Sequence, residues 1–114
     1  MIDPRLRDDA AQLHARLCSG LADPTRILLI YALAECPRNV SELAEILDLP
    51  QPTISRHLKE LRDRRIVTFE RQAQSVIYDL RDRRIIAALD MLRELLRDML
   101  AGDAEIVMSA QSNE

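Results

Sequence analysis

Apolar residues recur along this chain at helical spacing for most of its length, and at strand spacing for one short stretch. Leu6, Ala10, Leu13 and Leu17 fall at steps of four, three and four, which predicts a first helix over residues 5–18 with one apolar stripe. Asp8 and Asp9 stand early in it, where the helix dipole favours acids, and Gly20 is expected to close it. Asp23-Pro24 pairs an N-cap acid with proline at the first helical position, so a second helix runs from Pro24 to about Glu35. Ile27, Leu28, Leu29, Ile30, Ala32 and Leu33 leave it apolar on most of its surface, which places it at the centre of the core. Pro37 ends it. Asn39-Val40-Ser41-Glu42 has capping-box spacing and opens a short third helix, with Leu43, Ile46 and Leu47 expected inside. Asp48-Leu49-Pro50 leaves room only for a turn before a fourth helix, about Gln51 to Arg64, whose inner face is Ile54, Leu58 and Leu61.

The rhythm then changes. Val67–Gln72 and Val76–Leu80 are short β-branched or aromatic runs around Ala73-Gln74-Ser75, and they predict a β-hairpin although the turn lacks glycine. From Asp82 to about Ala101 a long fifth helix carries Ile85, Leu89, Leu92, Leu96 and Met99, with Asp79 and Asp82 expected to cap it. Residues 103–114 show no period and are expected to form a flexible acidic tail. A short helix, a tight turn, a second helix and a two-stranded hairpin describe a mainly α fold with a β-hairpin wing, a winged helix-turn-helix. Residues 1–102 form one such domain. The aliphatic stripes of the first and fifth helices exceed what a 114-residue monomer can bury, so the chain is expected to dimerise through them.

Composition narrows the setting. Apolar residues make up 47% and charged residues 31%, the balance of a soluble globular chain. The longest apolar run, Ile27–Ala34, is 8 residues, far short of a membrane span. The N-terminus is too polar for a signal peptide, so a cytoplasmic protein is expected. The net charge of −3 conceals a layout: residues 51–84 sum to +4, while residues 1–50 sum to −3 and residues 85–114 to −4. One positive segment between two negative ones is what a localised phosphate-facing surface requires.

The fourth helix lies in that segment. With Ile54, Leu58 and Leu61 turned inward, Arg56 and Lys59 point away from the core, Thr53 and Ser55 take the flanks, and Gln51 stands at the N-terminus. Small hydrogen-bonding side chains and two cations at the leading end of a helix suit the major groove. Gln pairs with adenine and Arg with guanine, whereas Lys59 is better suited to phosphate. Arg71 and Gln74 near the hairpin tip could enter a minor groove or meet phosphate. His57 falls at the rim of the inner face and is assigned a structural role. Ser55 beside His57 shares no face with it that would make a nucleophile–base dyad, and no phosphate loop or carboxylate pair stands out, so catalysis is not expected.

Leu21-Ala-Asp-Pro-Thr-Arg-Ile-Leu, Ser41-Glu-Leu-Ala, Gln51-Pro-Thr-Ile-Ser-Arg-His-Leu-Lys-Glu-Leu-Arg and Val76-Ile-Tyr-Asp-Leu follow one another over residues 10–100. In that order and spacing they resemble the ArsR/SmtB family of winged-helix transcriptional repressors. The resemblance implies a homodimer paired through its first and last helices, bound to double-stranded operator DNA, with Gln51, Ser55 and Arg56 at base-contacting positions. Two departures concern metal. At the start of the third helix, where family sensors carry Cys-x-Cys, this chain has Arg38-Asn-Val-Ser-Glu. On the last helix, an Asp-x-His pair and two later ligands are replaced by Asp82-Arg83-Arg84, Leu95 and Asp98, which cannot make the site. No metal site and no cofactor are therefore expected, and the inducer is not specified. Pro50 replaces the serine that usually caps the recognition helix, a loss of about 1 kcal/mol that Pro52 partly offsets.

Cys18 and Cys36 are the only thiols, separated by a helix about 18 Å long, so a bridge within one chain is not expected. His14 and Cys18 have metal-ligand spacing, but two ligands are not a site. Both cysteines are read as small packing residues, with thiol sensing of arsenite, persulfide or oxidant as the alternative. The alternative of a different class is a winged-helix module that binds protein partners, which the acidic net charge favours and the +4 segment opposes.

Overall fold

The computed structural model describes residues 1–112 as α1 (Pro4–Gln12), a π-helical turn (Leu13–Cys18), α2 (Pro24–Glu35), α3 (Val40–Leu47), α4 (Gln51–Asp63), β1 (Val67–Gln72), β2 (Ser75–Leu80) and α5 (Arg84–Ser112). The fold is a winged helix-turn-helix, as its element order predicts. Two compact units make up the chain, Met1–Arg83 and a second beginning at Arg84, which α5 constitutes.

Within the first unit α2 packs against α3, α4 and β2, and α4 also packs against α3 and β1. Leu29, Ile30 and Leu33 of α2, Leu43 of α3, and Ile54, Leu58 and Leu61 of α4 are fully buried. Each such side chain contributes roughly 1.5–3 kcal/mol by burial, which fixes the pitch of the helix-turn-helix against α2. Asp23 caps α2 by accepting the Thr25 N–H at 2.8 Å. That bond first, then the nearby Arg26 guanidinium, hold its carboxyl below the usual range, so the cap weakens only as pH falls through the acid range where Asp23 protonates. The capping box on α3 is complete: Asn39 Oδ1 accepts the Glu42 N–H at 2.9 Å and Glu42 Oε1 accepts the Asn39 N–H at 3.0 Å.

Five expectations are corrected. Ile46 is 50% exposed, because the buried arc of α3 runs through Leu43 and Ala44 and leaves Ile46 on its flank, beyond Leu43. The hairpin turn is Ala73–Gln74 alone, since Ser75 pairs with Gln72, and Ala73 takes the positive φ of 52° that glycine usually supplies. Gly20 does not close a helix through a positive φ. A Cβ there would lie 2.6 Å from Ile66 Cδ1 and 3.0 Å from Arg64 Cδ, so the residue is small to admit the loop after α4. Gly20→Ala is expected to cost about 1–3 kcal/mol by overpacking, read as a lower midpoint in urea. An unchanged midpoint would show that Ile66 yields freely.

Asp79 does not cap α5. It lies in β2, where its carboxylate accepts the Leu80 N–H at 2.8 Å. The period-poor segment after Ala101 is not a tail as far as Ser112, because α5 continues through Gly102 without a break. A helical glycine costs only about 1 kcal/mol, and Ala104, Glu105 and Met108 are good helix formers. Residues 113–114 of the expected tail lie outside the described residues. One pairing had no signal in the sequence: Arg38 and Tyr78 exchange backbone hydrogen bonds of 3.0 and 2.8 Å, which ties the α2–α3 loop to β2.

Candidate nucleic-acid interface

The turn between α3 and α4 holds the two helices in register. Asp48 adopts a left-handed φ of 54°, so its N–H meets Glu45 O at 3.3 Å and the Leu49 N–H meets Ala44 O at 3.0 Å. Pro50 then occupies the N-cap of α4 and gives no side-chain cap, while its carbonyl accepts the Thr53 and Ile54 N–H groups at 3.1 and 3.2 Å. Pro52 has no N–H, so of the first-turn backbone donors only that of Gln51 is left for solvent.

Ser55, Arg56 and Lys59 are exposed on the outer face of α4, Gln51 is exposed at its start, and Thr53 is half-buried at the flank. Gln51 Nε2 donates to Ser41 Oγ at 3.2 Å, joining the tip of α4 to the start of α3. Lys59 Nζ pairs with Asp63 at 3.2 Å, one turn further along. The Arg56 guanidinium makes no hydrogen bond or ion pair with any described residue. Arg71 and Gln74 are exposed on a second element, at the end of the hairpin farthest from α4's C-terminus. The structure thus gathers Gln51, Ser55, Arg56 and Lys59 on one helix and sets Arg71 and Gln74 apart on the wing.

Behind this face lies a network that the chain pattern did not reveal. Arg26 reaches from α2 to donate from Nε to Gly20 O at 2.7 Å and from Nη2 to Ser19 O at 3.2 Å. Its Nη1 donates to His57 Nδ1 at 3.3 Å, which leaves the ring proton on Nε2. His57 is buried with this contact, so it is a structural residue of α4 and is turned away from exposed Ser55. Arg64 adds a link from Nε to Ser19 Oγ at 2.9 Å. The only clue in the sequence is that His57 falls at the rim of the core face.

Cys18 and Cys36 are both free and exposed, which corrects their reading as packing residues. Cys18 ends the π-helical turn on a segment with no buried residues, and Cys36 lies just beyond α2 in extended backbone. The residues at the family's two metal positions do not fit an ion. Asn39 spends its side chain on the α3 cap, Arg38 is held by Ala32 O at 3.0 Å and by Glu35 at 2.6 Å, and Arg84 and Leu95 offer no donor.

The profile of bacterial regulatory proteins of the arsR family matches residues 23–68, the stretch from the α2 cap to the first strand. A transcriptional repressor SmtB homolog of Synechocystis is 33% identical over 95 residues, covering 83% of this chain and 70% of that protein. The chain belongs to the ArsR family. The HTH-type transcriptional repressor SmtB of Mycobacterium tuberculosis is 43% identical over 79 residues, covering 69% of this chain and 56% of that protein. The aligned part is thus little more than half the length of this repressor. Among solved structures, NolR from Sinorhizobium fredii superposes with a TM-score of 0.72 at 28% identity, covering 83% of this ArsR-family chain and 94% of that one. No helix among the described residues is long and apolar enough to cross a membrane.

Proposed function

We propose that this ArsR-family protein is a homodimeric, sequence-specific DNA-binding repressor, with α4 entering the major groove and the hairpin contacting the flanking backbone. One observation carries the reading: Arg56 stands exposed on the polar face of α4 with no hydrogen-bond or ion-pair partner among the described residues, beside Ser55 and five residues after Gln51. A guanidinium held ready at that place suits bidentate contact with guanine. Dimerisation is supported by the apolar side chains that α1, the π-helical turn and α5 leave in solvent, among them Leu6, Leu13, Leu92, Leu96 and Met99, each at least half exposed. Control does not pass through the two usual family metal positions, whose residues lack the donors.

Fluorescence anisotropy with DNA from upstream of the protein's own reading frame, at several salt concentrations, tests the reading. Tight sequence-dependent binding with a steep negative slope of log affinity against log salt is expected. Weak binding that is equal for all sequences would overturn it and favour a protein-interaction module. Sedimentation at micromolar concentration should give twice the chain mass of 13.0 kDa, and a monomer would remove the dimer. Lys59→Ala should weaken all sequences alike and lower the salt slope by about one, because its exposed pair with Asp63 is worth little and yields readily to phosphate. The exposure of both thiols supports a second reading, control through Cys18 or Cys36, which release of the DNA by arsenite or persulfide would establish.

A further inference from the structure

We infer that the concavity between the end of α4 and the base of the hairpin is a binding site for a small aromatic carboxylate. Arg62, Arg65, Val67, Thr68, Phe69 and Arg81 line an open cleft of about 320 Å³. That volume is at the small end of the range for ligand pockets. Three cations reach it from three places: Arg62 from the last turn of α4, Arg65 from the loop that follows, and Arg81 from the end of β2.

The backbone fixes this convergence. Arg65 adopts a left-handed φ of 60° that turns the chain out of α4, and the Ile66 N–H closes the helix on Leu61 O at 2.9 Å. The Arg81 N–H is held by Ile66 O at 3.0 Å, so the start and the end of the hairpin are clamped together. Val67 is buried beneath, and the Phe69 ring is 52% exposed with Arg62 Cζ 5.0 Å from its centroid.

The charge here is uncompensated. Elsewhere Arg38, Arg64 and Arg93 lie against Glu35, Glu60 and Asp90 respectively. No described carboxylate pairs with Arg62, Arg65 or Arg81, although all three share one cleft. Unpaired guanidiniums at the rim call for an anion, and bidentate carboxylate contact is the geometry they favour. The apolar floor and the ring call for a flat apolar body beside the charge, which inorganic anions lack.

The cleft is distinct from the base-contacting positions proposed at the start of α4. Arg62 follows Gln51 by eleven residues, about 16 Å along the helix, and Val67 and Arg81 stand at the opposite end of the hairpin from Gln74. An occupant would therefore touch α4 and the hairpin together, away from the proposed base contacts and about one turn beyond Lys59. The inference does not require the DNA-binding reading, and its test reads ligand binding without DNA.

The full chain would be titrated with 2-naphthoate while following arginine Nε–H and backbone resonances. Saturable shifts confined to Arg62, Arg65, Arg81 and Val67–Phe69 are expected, with a dissociation constant of about 0.1–1 mM. Arg65→Gln and Arg81→Gln, both at exposed side chains, should each weaken binding about tenfold, a loss of one charge-assisted contact. Neutral 2-naphthalenemethanol or inorganic phosphate binding as well as naphthoate would overturn the assignment, as would no saturation. If the two substitutions instead lower operator affinity and salt slope in the absence of naphthoate, the cleft is a DNA-backbone contact and the inference fails.

Discussion

Arg56→Ala is expected to lower operator affinity by about 1–3 kcal/mol, roughly a 5- to 150-fold weaker complex, while the fold survives unchanged. The side chain is exposed on α4 and makes no hydrogen bond or ion pair with any described residue, so its removal leaves no buried cavity and no orphaned polar partner. The loss therefore belongs to DNA contact alone. It should also be uneven across sequences. An operator with its preferred base pair replaced should bind the variant about as well as the intact operator does, because discrimination at that position disappears with the guanidinium. Arg56→Lys restores charge without the bidentate fork, so it should recover the salt slope and not the sequence preference. Anisotropy on the two operators, with thermal melting as the fold control, separates these outcomes. An affinity unchanged in Arg56→Ala would mean that α4 does not read the DNA.

What the sequence made legible was governed by local rules. The caps at Asp23 and Asn39, the inner face of α4 and the hairpin strands follow from side chains a few residues apart, and each stands where those rules put it. The outward placement of Arg56 and Lys59 is the same kind of inference, a helical angle from Ile54. What was not legible depends on partners distant in the chain. Gly20 is small because of Ile66, and His57 is buried with Arg26 across 31 positions. Neither distance has a period. The left-handed residues Asp48, Arg65 and Ala73 escaped for another reason: all three stand where glycine is favoured, and the chain has only two glycines to mark such turns. Helix ends that carry no glycine give no warning, and α5 runs on past Ala101, where its apolar period fades.

Arg26→Ala should be strongly destabilising although the residue is remote from the operator face, by about 3 kcal/mol, which lowers the melting temperature by more than about 10 °C. The guanidinium satisfies Gly20 O, Ser19 O and His57 Nδ1 together, at 2.7, 3.2 and 3.3 Å. Alanine leaves two carbonyls and a buried imidazole nitrogen without that donor, and each unsatisfied group costs about 1–3 kcal/mol, less where water reaches it. Arg26 is half-buried, so solvent takes over part of the debt and the sum falls short of three full penalties. The network joins the loop before α2 to the inner side of α4, so its loss should also loosen the helix that carries Arg56. Operator affinity should then fall in Arg26→Ala even at temperatures where the variant remains folded, with sequence preference kept. Arg26→Lys tests the geometry: one ammonium cannot reach three acceptors spread over two elements, so it should recover less than half of the lost stability. Melting curves of the three proteins decide the matter, and a melting temperature within about 2 °C of the parent in Arg26→Ala would show that the network is incidental to the fold.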